Sequence, residues 1–377
     1  MKITHVIVGL NVGGAELMLK RLIASHSQSP NYAHRVISLT ELGRVGEDLR
    51  AIGIPVTALG MRNGLDIWRA FLGLRNQLAT EKPDIVQTWM YHADLLGGLA
   101  ARSLGLQHII WGIRTTEIRA GGSGVTRLIR KACGLLSRFI PSKIVCAAHA
   151  ARQVHEAVGY SASKMLVIPN GFDIEKLVAT PGQAAAIRQY AGLGSEHRVI
   201  GSVGRFNPVK DQRNFVQAAG FLARQHTNLR FLMVGRDLNR NNAQLMQWIA
   251  DTGKPECFIL LGERSDVPAC LAAMDIFCLH SRTEGFPNVV GEAMAMARPC
   301  VVTDVGDAAF LIGDTGLVVP KEDAQALAAG LERLLSLPTA ELHDLGQRAR
   351  QRIHANFTMD HARQQFEQVY QQLLREQ

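Results

Sequence analysis

Short runs of aliphatic and β-branched residues alternate along this chain with longer segments whose apolar positions recur at helical spacing. In the first half the short runs are residues 4–9, 35–39, 54–59, 84–88, 108–113 and 143–146. After a turn-rich stretch at 169–173 the alternation begins again, with runs at 198–204, 230–235, 258–262, 275–279 and 299–303. Alternating strands and helices predict a parallel α/β sheet, and the repetition predicts two such sheets in tandem.

Because the alternation of strands and helices begins a second time, we expect two domains. A chain of 377 residues is also longer than a single domain with one hydrophobic core usually is. We expect a Rossmann-like first domain at 1–172 and a second at 173–358. Residues 359–377 contain apolar positions at helical spacing and predict an amphipathic helix that completes the first domain. Because open parallel sheets bind ligands at the carboxyl ends of their strands, we expect a cleft where the two sheets face each other.

The composition restricts the partners and the compartment. An excess of 41 basic over 33 acidic residues favours anionic partners, but the basic residues are dispersed and no nucleic-acid-binding motif is present, so we expect no nucleic acid. None of the six cysteines forms a C-x-x-C pair, which fits a reducing cytoplasm. The chain has neither a signal-peptide pattern nor a spanning apolar segment, so we expect a cytoplasmic protein that is at most peripheral to a membrane.

Residues 275–297 predict a buried strand, a polar turn and an apolar helix that starts near Pro287. The turn contains Glu284, Gly285 and Phe286, and Asn288 and Val289 belong to the first helical turn. Free N–H groups at such a helix start can bind anions or hydroxyls. Glu292 lies about two turns along this apolar helix, where a carboxylate requires hydrogen-bond partners such as ribose hydroxyls. The alternative is that Glu284 caps the helix and Glu292 forms a structural pair.

Two further motifs follow predicted strands. Gly204 to Lys210 reads GRFNPVK, in which Arg205 and Lys210 can stabilise the charge of a leaving diphosphate. Gly13 and Gly14 precede Ala15 and Glu16 at the start of the first helix. This loop fits neither the P-loop nor the G-x-G-x-x-G pattern, which disfavours a kinase or a dinucleotide oxidoreductase.

Taken together, these motifs resemble family 4 of the retaining glycosyltransferases, over nearly the whole chain. The resemblance implies the two-domain GT-B fold, a first domain for the acceptor, a second for the nucleotide-sugar donor, and catalysis without a cofactor. It implies that Arg205 and Lys210 hold the donor diphosphate, that Glu284 binds the transferred sugar, and that Glu292 binds the ribose. The implied donor site contains Gly13, Gly14, Arg205, Lys210, Arg264, Glu284, Gly285, Phe286, Pro287, Asn288, Val289 and Glu292.

The resemblance also places Arg264 beside the nucleobase, although Ser265 or Asp266 equally fits a helix cap. On the acceptor side it suggests Tyr91 and His92, with His92 as a sugar-binding or acid/base group, although a lone histidine is as often structural. We assign Glu16, Arg114, Thr115 and Glu117 to the same side. The chain departs from the family pattern at Asp211, where glycine is frequent, and at Gly235-Arg236-Asp237, which replaces Gly-x-Gly-Pro.

The sequence contains no D-x-D motif, so we expect no metal, and we expect cationic side chains and helix N-termini to hold the diphosphate. The resemblance implies retention of configuration, with acceptor attack on the face from which the diphosphate leaves. It favours UDP over other nucleotides and a hexose or N-acetylhexosamine as the transferred sugar. The expected acceptor is a saccharide, lipid-linked or free, in cell-surface polysaccharide or glycoconjugate synthesis.

Residues 124–139 predict an amphipathic helix with an apolar face and a basic face. Such a helix suits an anionic membrane surface, and it suits equally an ordinary helix packed on its sheet with solvated basic residues. Two rival functions also remain open for the whole chain. A GT-B-fold sugar-nucleotide epimerase and a non-catalytic sugar-nucleotide-binding subunit would both bind the same donor.

Overall fold

The computed structural model describes residues 1–27, 29–116 and 124–375. The chain folds into two compact units. Unit 1 contains Met1–Gly171 and Met359–Gln377, and unit 2 contains Phe172–Thr358. The division lies next to the expected one at 172, and each unit has its own sheet and its own apolar core.

Unit 1 is built on a seven-stranded parallel sheet with the strand order β3-β2-β1-β4-β5-β6-β7. The strands are rich in aliphatic residues, and the central ones are fully buried, as parallel strands covered by helices on both faces require. The strands are β1 (Lys2–Ile7), β2 (Ala33–Ser38), β3 (Val56–Ala58), β4 (Ile85–Trp89), β5 (Ile109–Ile113), β6 (Lys143–Cys146) and β7 (Met165–Val167).

The helices of unit 1 follow the strands in a regular alternation. They are α1 (Gly14–Ser25), α2 (Gly43–Ala51), α3 (Ile67–Glu81), α4 (Tyr91–Ser103), α5 (Gly124–Leu136) and α6 (His149–Ala157). The last helix of the chain, α15 (Met359–Arg375), packs against α1 and places Phe366 and Tyr370 in the unit 1 core. The Tyr370 hydroxyl donates to Gln87 Oε1 at 2.5 Å, which joins this helix to the centre of the sheet.

A relay of hydrogen bonds through three buried histidines also joins α15 to the sheet. Trp89 Nε1–H donates to His5 Nδ1 (3.3 Å), so His5 Nε2 donates to His34 Nδ1 (3.0 Å). His34 Nε2 then donates to His26 Nδ1 (3.1 Å), and His26 donates to Glu367 of α15 (3.1 Å). Burial lowers the pKa of His34 to about 3 and that of His5 well below its usual range, so these rings are neutral at neutral pH.

Unit 2 is built on a six-stranded parallel sheet with the order β10-β9-β8-β11-β12-β13. Its strands are β8 (Arg198–Val203), β9 (Leu229–Val234), β10 (Phe258–Gly262), β11 (Ile276–Leu279), β12 (Cys300–Thr303) and β13 (Gly316–Val319). Its helices are α7 (Pro181–Tyr190), α8 (Gln212–Ala223), α9 (Ala243–Asp251), α10 (Val267–Ala272), α11 (Asn288–Ala295), α12 (Ala308–Ile312), α13 (Ala324–Leu335) and α14 (Thr339–Asn356).

Two tandem parallel α/β sheets are therefore confirmed, and every strand expected from the alternation is present. The strands β7 and β13, each at a sheet edge, were not expected because their short apolar runs lack a clear period. In both sheets the strand order changes direction next to the first strand. In unit 1, β2 and β3 lie on one side of β1 and β4 lies on the other; in unit 2, β9 and β10 lie on one side of β8 and β11 lies on the other. Ligands of open α/β sheets bind at such a switch point. Among the described residues, no helix is long and apolar enough to cross a membrane.

Candidate active site

The predicted diphosphate-binding residues follow β8, and the Glu284 turn follows β11. Because β8 and β11 are neighbours in the unit 2 sheet, their two loops meet at the switch point. Lys210 Nζ lies 2.6 Å from Glu284 Oε1, and both side chains are largely shielded from solvent. The Ser281 hydroxyl donates to the same carboxylate oxygen at 2.6 Å. The structure thus brings together two residues that are 74 positions apart in sequence.

A buried histidine holds the backbone of Lys210 in place through a hydrogen bond. His280 Nδ1 donates to the Lys210 carbonyl oxygen (2.5 Å), and its Nε2 accepts from the Ser202 hydroxyl (2.6 Å). Burial lowers the pKa of His280 to about 4, so the ring stays neutral and keeps this tautomer at neutral pH. The sequence motif gave no indication of this support. A pair of polar residues at the ends of two adjacent buried strands, such as Ser202 in β8 and His280 directly after β11, is the signal that would have revealed it.

The two departures from the family pattern have a common structural explanation. Asp211 has a φ of 52° and Asp237 a φ of 64°, which is the left-handed region that glycine adopts freely. Aspartate tolerates this region better than most residues, so it can replace glycine at a position where the backbone must turn this way. Asp211 in addition forms an ion pair with Arg282 at 3.0 Å, which joins the β8 loop to the β11 loop a second time.

The turn at Glu284 and Gly285 is held by the loop that follows β12. The Asp307 N–H donates to the Gly285 carbonyl oxygen at 2.9 Å. Gly306 has a φ of +54°, and a Cβ atom there would lie 2.4 Å from the Gly285 oxygen and 2.5 Å from the Glu284 oxygen. Only glycine therefore allows this close approach. Sequence reasoning missed Gly306, although a glycine just after a predicted strand, at the ligand-binding edge, was visible.

Helix α11 begins at Asn288, after Pro287, and no side chain caps its described N-terminus. Phe286 is buried, and its ring lies 6.2 Å from that of Phe172. The Phe172 ring also lies so close to Gly291 that a Cβ atom there would clash with it at 2.0 Å. This packing fixes the helix that carries Glu292, whose side chain is half-buried. The first turn, with Asn288 and Val289, follows the Glu284 turn directly at the carboxyl edge of the sheet.

The backbone around Arg205 is fixed by three hydrogen bonds. Gly204 N–H donates to Val234 O at 2.8 Å, Phe206 N–H donates to Arg236 O at 2.8 Å, and Gln212 Nε2 donates to Arg205 O at 2.9 Å. The Arg205 side chain therefore extends from a rigid loop next to Lys210.

Arg264 lies in the loop after β10, towards the edge of the same sheet. It forms a bidentate pair with Asp266 at 2.8 and 2.7 Å and lies 6.0 Å from the centre of the Tyr190 ring. Asp266 occupies the position before α10 but makes no cap hydrogen bond, since its carboxylate is engaged by Arg264. The pair leaves the flat guanidinium face next to an exposed aromatic ring, which is a suitable environment for a planar base.

In unit 1 the glycine loop lies at the corresponding switch point. Gly13 immediately precedes α1 in an extended conformation, and Glu16 folds back over it, so that a Cβ atom on Gly13 would lie 2.4 Å from a Glu16 carboxylate oxygen. Burial raises the pKa of Glu16. Gly14 is exposed at the helix start. A carboxylate at a helix N-terminus is stabilised by the helix dipole, and a ligand phosphate at this point would compete with it.

The residues after β4 have an unusual backbone. Met90 has φ 75° and ψ 157°, a region that costs a residue with a side chain about 1–3 kcal/mol. It turns the chain sharply into α4, where His92 is half-buried and has a pKa lowered by burial. His92 is therefore a neutral imidazole at the carboxyl edge of the sheet.

Tyr91 by contrast belongs to the core of unit 1. Its hydroxyl lies 2.7 Å from Nε2 of His155, and its exposed fraction is 3%. This leaves little of its surface for an acceptor. Asp94, one turn further on, is fully buried, accepts from the Thr88 hydroxyl at 2.5 Å, and has a pKa raised to about 7 by burial. The sequence prediction did not include Asp94.

Of the remaining acceptor-side predictions, Arg114 lies after β5 and is mostly covered. Its guanidinium donates to Asn170 Oδ1 at 3.0 Å and stacks over Trp89, 4.9 Å from the ring centre. Burial lowers its pKa to about 10. These contacts indicate that it holds the end of unit 1 together. Thr115 is half-buried beside it, and Glu117 lies outside the described residues.

A cavity of about 460 Å³ lies at the opposite, amino-terminal edge of the unit 2 sheet. Its lining includes Arg198, Asp275 and Arg298, and it contains none of the predicted donor residues. Arg298 donates to the carbonyl oxygens of Met296 and Met274, so its guanidinium is bound by the backbone of unit 2. Within the described ranges, no group of three or more His, Cys, Asp or Glu side chains is arranged to hold a metal ion.

Comparison with known proteins places both units in one family. Residues 12–176 match the family model described as Glycosyltransferase Family 4, and residues 197–337 match the one described as Glycosyl transferases group 1. The first match covers most of unit 1 and the first five residues of unit 2, the second lies within unit 2, and together they span both switch points.

Among curated proteins, the chain is 25% identical over 293 residues to an Escherichia coli UDP-Gal:alpha-D-GlcNAc-diphosphoundecaprenol alpha-1,3-galactosyltransferase, covering 76% of this chain and 75% of the relative. It is also 25% identical to the Staphylococcus aureus capsular polysaccharide biosynthesis glycosyltransferase CapM, covering 78% of each. Among solved structures, Anabaena HepE in complex with UDP superposes with a TM-score of 0.86 at 22% identity, over 99% of this chain and 100% of that one. At this identity the likeness shows the fold.

Proposed function

Because the chain belongs to glycosyltransferase family 4 and has the GT-B fold, we propose that it transfers a hexose or N-acetylhexosamine from a UDP-sugar to a saccharide acceptor, with retention of configuration and without a metal. The observation that carries the proposal is the pairing of Lys210 with Glu284 at the unit 2 switch point, next to the start of α11. A cation, a carboxylate and a helix N-terminus at one sheet edge match the charge and hydroxyl pattern of a nucleotide sugar.

The donor is held by complementary charges. Arg205 and Lys210 bind the diphosphate, and the backbone N–H groups at the start of α11 add further donors. When the diphosphate enters, Lys210 exchanges part of its contact with Glu284 for the phosphate oxygens. Glu284 then accepts from hydroxyls of the transferred sugar, Glu292 accepts from the ribose hydroxyls, and Arg264 lies beside the base.

In the transfer step the bond between the sugar's anomeric carbon and the diphosphate oxygen breaks, and the acceptor hydroxyl oxygen forms the new bond on the same face. The hydroxyl proton passes to the departing phosphate oxygen. Arg205 and Lys210 stabilise the negative charge that develops on the diphosphate, and their rigid loop keeps them in place as the charge grows. His92, a neutral ring in unit 1, hydrogen-bonds the sugar or the acceptor.

The relatives support the choice of donor and acceptor. One is named for a UDP-galactose donor and a diphosphoundecaprenol-linked acceptor, and another for capsular polysaccharide synthesis. Anabaena HepE has been solved with UDP-glucose. By this likeness we propose that the present chain acts in cell-surface polysaccharide or glycoconjugate synthesis, with a lipid-linked saccharide as acceptor.

The experiment that tests the proposal separates donor binding from chemistry. A thermal-shift screen of UDP, GDP and ADP identifies the nucleotide, because a ligand that binds only the folded state raises its stability. Transfer is then measured with the matching sugars, in excess EDTA, and the anomeric configuration of the product is determined by NMR. We expect UDP to stabilise the protein and the product to keep the donor configuration in EDTA. An inverted product, or activity lost in EDTA and restored by manganese, would refute the mechanism.

The α5 helix supports a peripheral membrane location. Part of its predicted apolar face is exposed: Leu135, and Phe139 just past the end of the helix, are 75% and 73% exposed, and Val125 and Leu128 are exposed as well. The exposed basic residues Arg127 and Lys131 border this apolar strip on the helix, and the exposed Arg138 borders it just past the helix end. An exposed apolar strip bordered by basic residues suits an anionic lipid surface. We therefore propose that α5 docks the enzyme on the membrane that carries its acceptor, in the cytoplasm.

Liposome flotation tests this docking. Replacing Arg127 and Lys131 by Glu should reduce binding to anionic vesicles. The same charge change in unit 2, Arg240→Glu with Lys321→Glu, should leave binding unchanged. Equal binding by wild type and the α5 variant would remove the proposal.

A further inference from the structure

A second apolar strip is exposed on unit 1, at the start of α3. Leu65 is 94% exposed, Trp68 68% and Leu72 40%. Their spacing of three and four residues places them on one side of the helix, whereas Ala70, Leu74 and Leu78 are buried on the opposite side. The strip therefore points away from the core, and packing within the chain does not explain it.

The local structure holds this strip in place. Leu65 belongs to a 3₁₀ turn, Gly64–Asp66, whose N-terminal end is capped by Asn63 and Asp66 in a capping box. Asn63 Oδ1 accepts from the Leu65 N–H at 2.9 Å, and Asp66 accepts from the Arg62 N–H at 2.9 Å. The Trp68 ring stacks on Phe71 at 5.5 Å between ring centres. The most exposed leucine of the strip thus lies in a well-defined turn.

The charge around the strip is positive. Arg62, Arg69 and Arg75 lie within it or at its border, against the single acidic residue Asp66, which is paired with Arg69 at 3.1 Å. Arg62 and Arg69 are exposed. The strip therefore combines leucines, a tryptophan and arginines, which is the composition of an element that lies in the headgroup region of a bilayer.

The α3 strip and α5 belong to one face of unit 1. Helix α3 packs on α4, and α4 packs on α5. The Arg75 guanidinium donates to the Ser103 hydroxyl at 3.2 Å, and about one turn back from this contact lie Leu72 on α3 and Leu99 on α4. Both leucines are exposed, so α4 continues the apolar surface from the α3 strip towards α5.

We propose that the α3 strip, Leu65, Trp68 and Leu72, is a second lipid-contacting element that inserts into the headgroup region of an anionic bilayer. It extends the membrane contact proposed for α5 and rests on that proposal for its orientation. Two exposed apolar strips on α3 and α5, the two helices that flank α4, match a flat anionic surface because each is bordered by basic residues. Two contacts also bind more tightly than one, because after the first contact forms the second becomes intramolecular. They would fix which face of unit 1 meets the membrane.

The protein contains its own reporter for this contact. Trp89 and Trp111 are fully buried and Trp248 is partly buried, so Trp68 is the most exposed of the four tryptophans. On addition of vesicles of phosphatidylcholine with phosphatidylglycerol, we expect the tryptophan emission to shift to shorter wavelength. Brominated phosphatidylcholine should quench it. Both effects should disappear in Trp68→Phe, which keeps an apolar ring and should still float with the vesicles.

Flotation of Leu65→Ser/Trp68→Ser should show binding reduced about tenfold, since each insertion contributes through the apolar area it buries. The matched control is Val178→Ser, which removes an exposed apolar side chain from unit 2. Neither flotation nor fluorescence depends on enzymatic activity. Loss of lipid binding with intact sugar transfer would therefore contradict only the lipid contact, and loss of transfer with intact lipid binding would contradict only the proposed activity.

Three outcomes would overturn the proposal. The first is vesicle binding that depends on Arg127 and Lys131 while Trp68 shows neither shift nor quenching. The second is unchanged flotation of the Leu65→Ser/Trp68→Ser variant. The third is lipid-free self-association, measured by analytical ultracentrifugation, that the same variant abolishes, because the strip would then be an interface between two copies of the chain.

Discussion

Replacing Gly306 by alanine should separate the geometry of the Glu284 turn from the stability of the fold. The new Cβ atom would lie 2.4 Å from the Gly285 oxygen, whereas ordinary contacts begin at 3.4 Å, so the turn has to move by about 1 Å. The φ of +54° adds backbone strain of about 1–2 kcal/mol. A displacement of about 1 Å in a positioning element can lower a rate about a hundredfold.

We therefore expect Gly306→Ala to reduce kcat/KM about a hundredfold, measured by acceptor-dependent UDP release. The matched control is Gly192→Ala, because Gly192 also lies in unit 2 with a φ of +65° and has no atom within 4 Å of the added Cβ. Urea unfolding should show a similar loss of stability from backbone strain in both variants, with activity preserved only in the control. Wild-type kcat/KM in Gly306→Ala would refute the view that the Glu284 turn must be held in this position.

Three further predictions concern unit 1. The free energy of unfolding should fall by up to about 1.4 kcal/mol per pH unit as the pH drops below about 6.5, because the pKa of His34 is lowered to about 3 in the folded state, so that the unfolded chain takes up the proton first. Urea unfolding at several pH values checks this, and a free energy that does not change with pH would contradict the neutral relay. Asp94→Asn should raise stability most above about pH 7, because burial raises the pKa of Asp94 to about 7 and ionising it in the folded state is costly; a loss of stability at high pH would show that the carboxylate is needed in its charged form. Met90→Gly should relieve backbone strain of about 1–3 kcal/mol and should lower kcat, because His92 is then held less firmly. Thermal unfolding and kinetics on one preparation check this, and lower stability with an unchanged kcat would contradict it.

The fold was largely predictable because parallel strands buried on both faces form apolar runs that stand out from the helices. The runs at 143–146 and 258–262 even have the bounds of β6 and β10. The edge strands β7 and β13 were missed because a short strand at a sheet margin is only partly buried and its apolar run is weak. For α5 the periodicity predicted the helix but left open which surface covers its apolar side.

The site was predictable only where a residue type carries the chemistry itself. Lys210 and Glu284 could be named from motifs, and the strand order explains why they meet. The supporting contacts could not be named in this way. His280 beneath Lys210 and Gly306 beside the Glu284 turn act through packing between loops that are distant in sequence. Backbone geometry such as the φ of Met90 leaves no pattern in the sequence.

The central claim is that Lys210, paired with Glu284 at the carboxyl edge of the unit 2 sheet, binds and activates a nucleotide-sugar donor. Its most direct test is acceptor-dependent UDP release from a panel of UDP-sugars by wild type, Lys210→Ala and the surface control Arg240→Ala. We predict release by wild type and by the control, and a loss of about 10²- to 10³-fold in kcat for Lys210→Ala. Undiminished release by Lys210→Ala, or donor binding without release by the wild type, would contradict the claim.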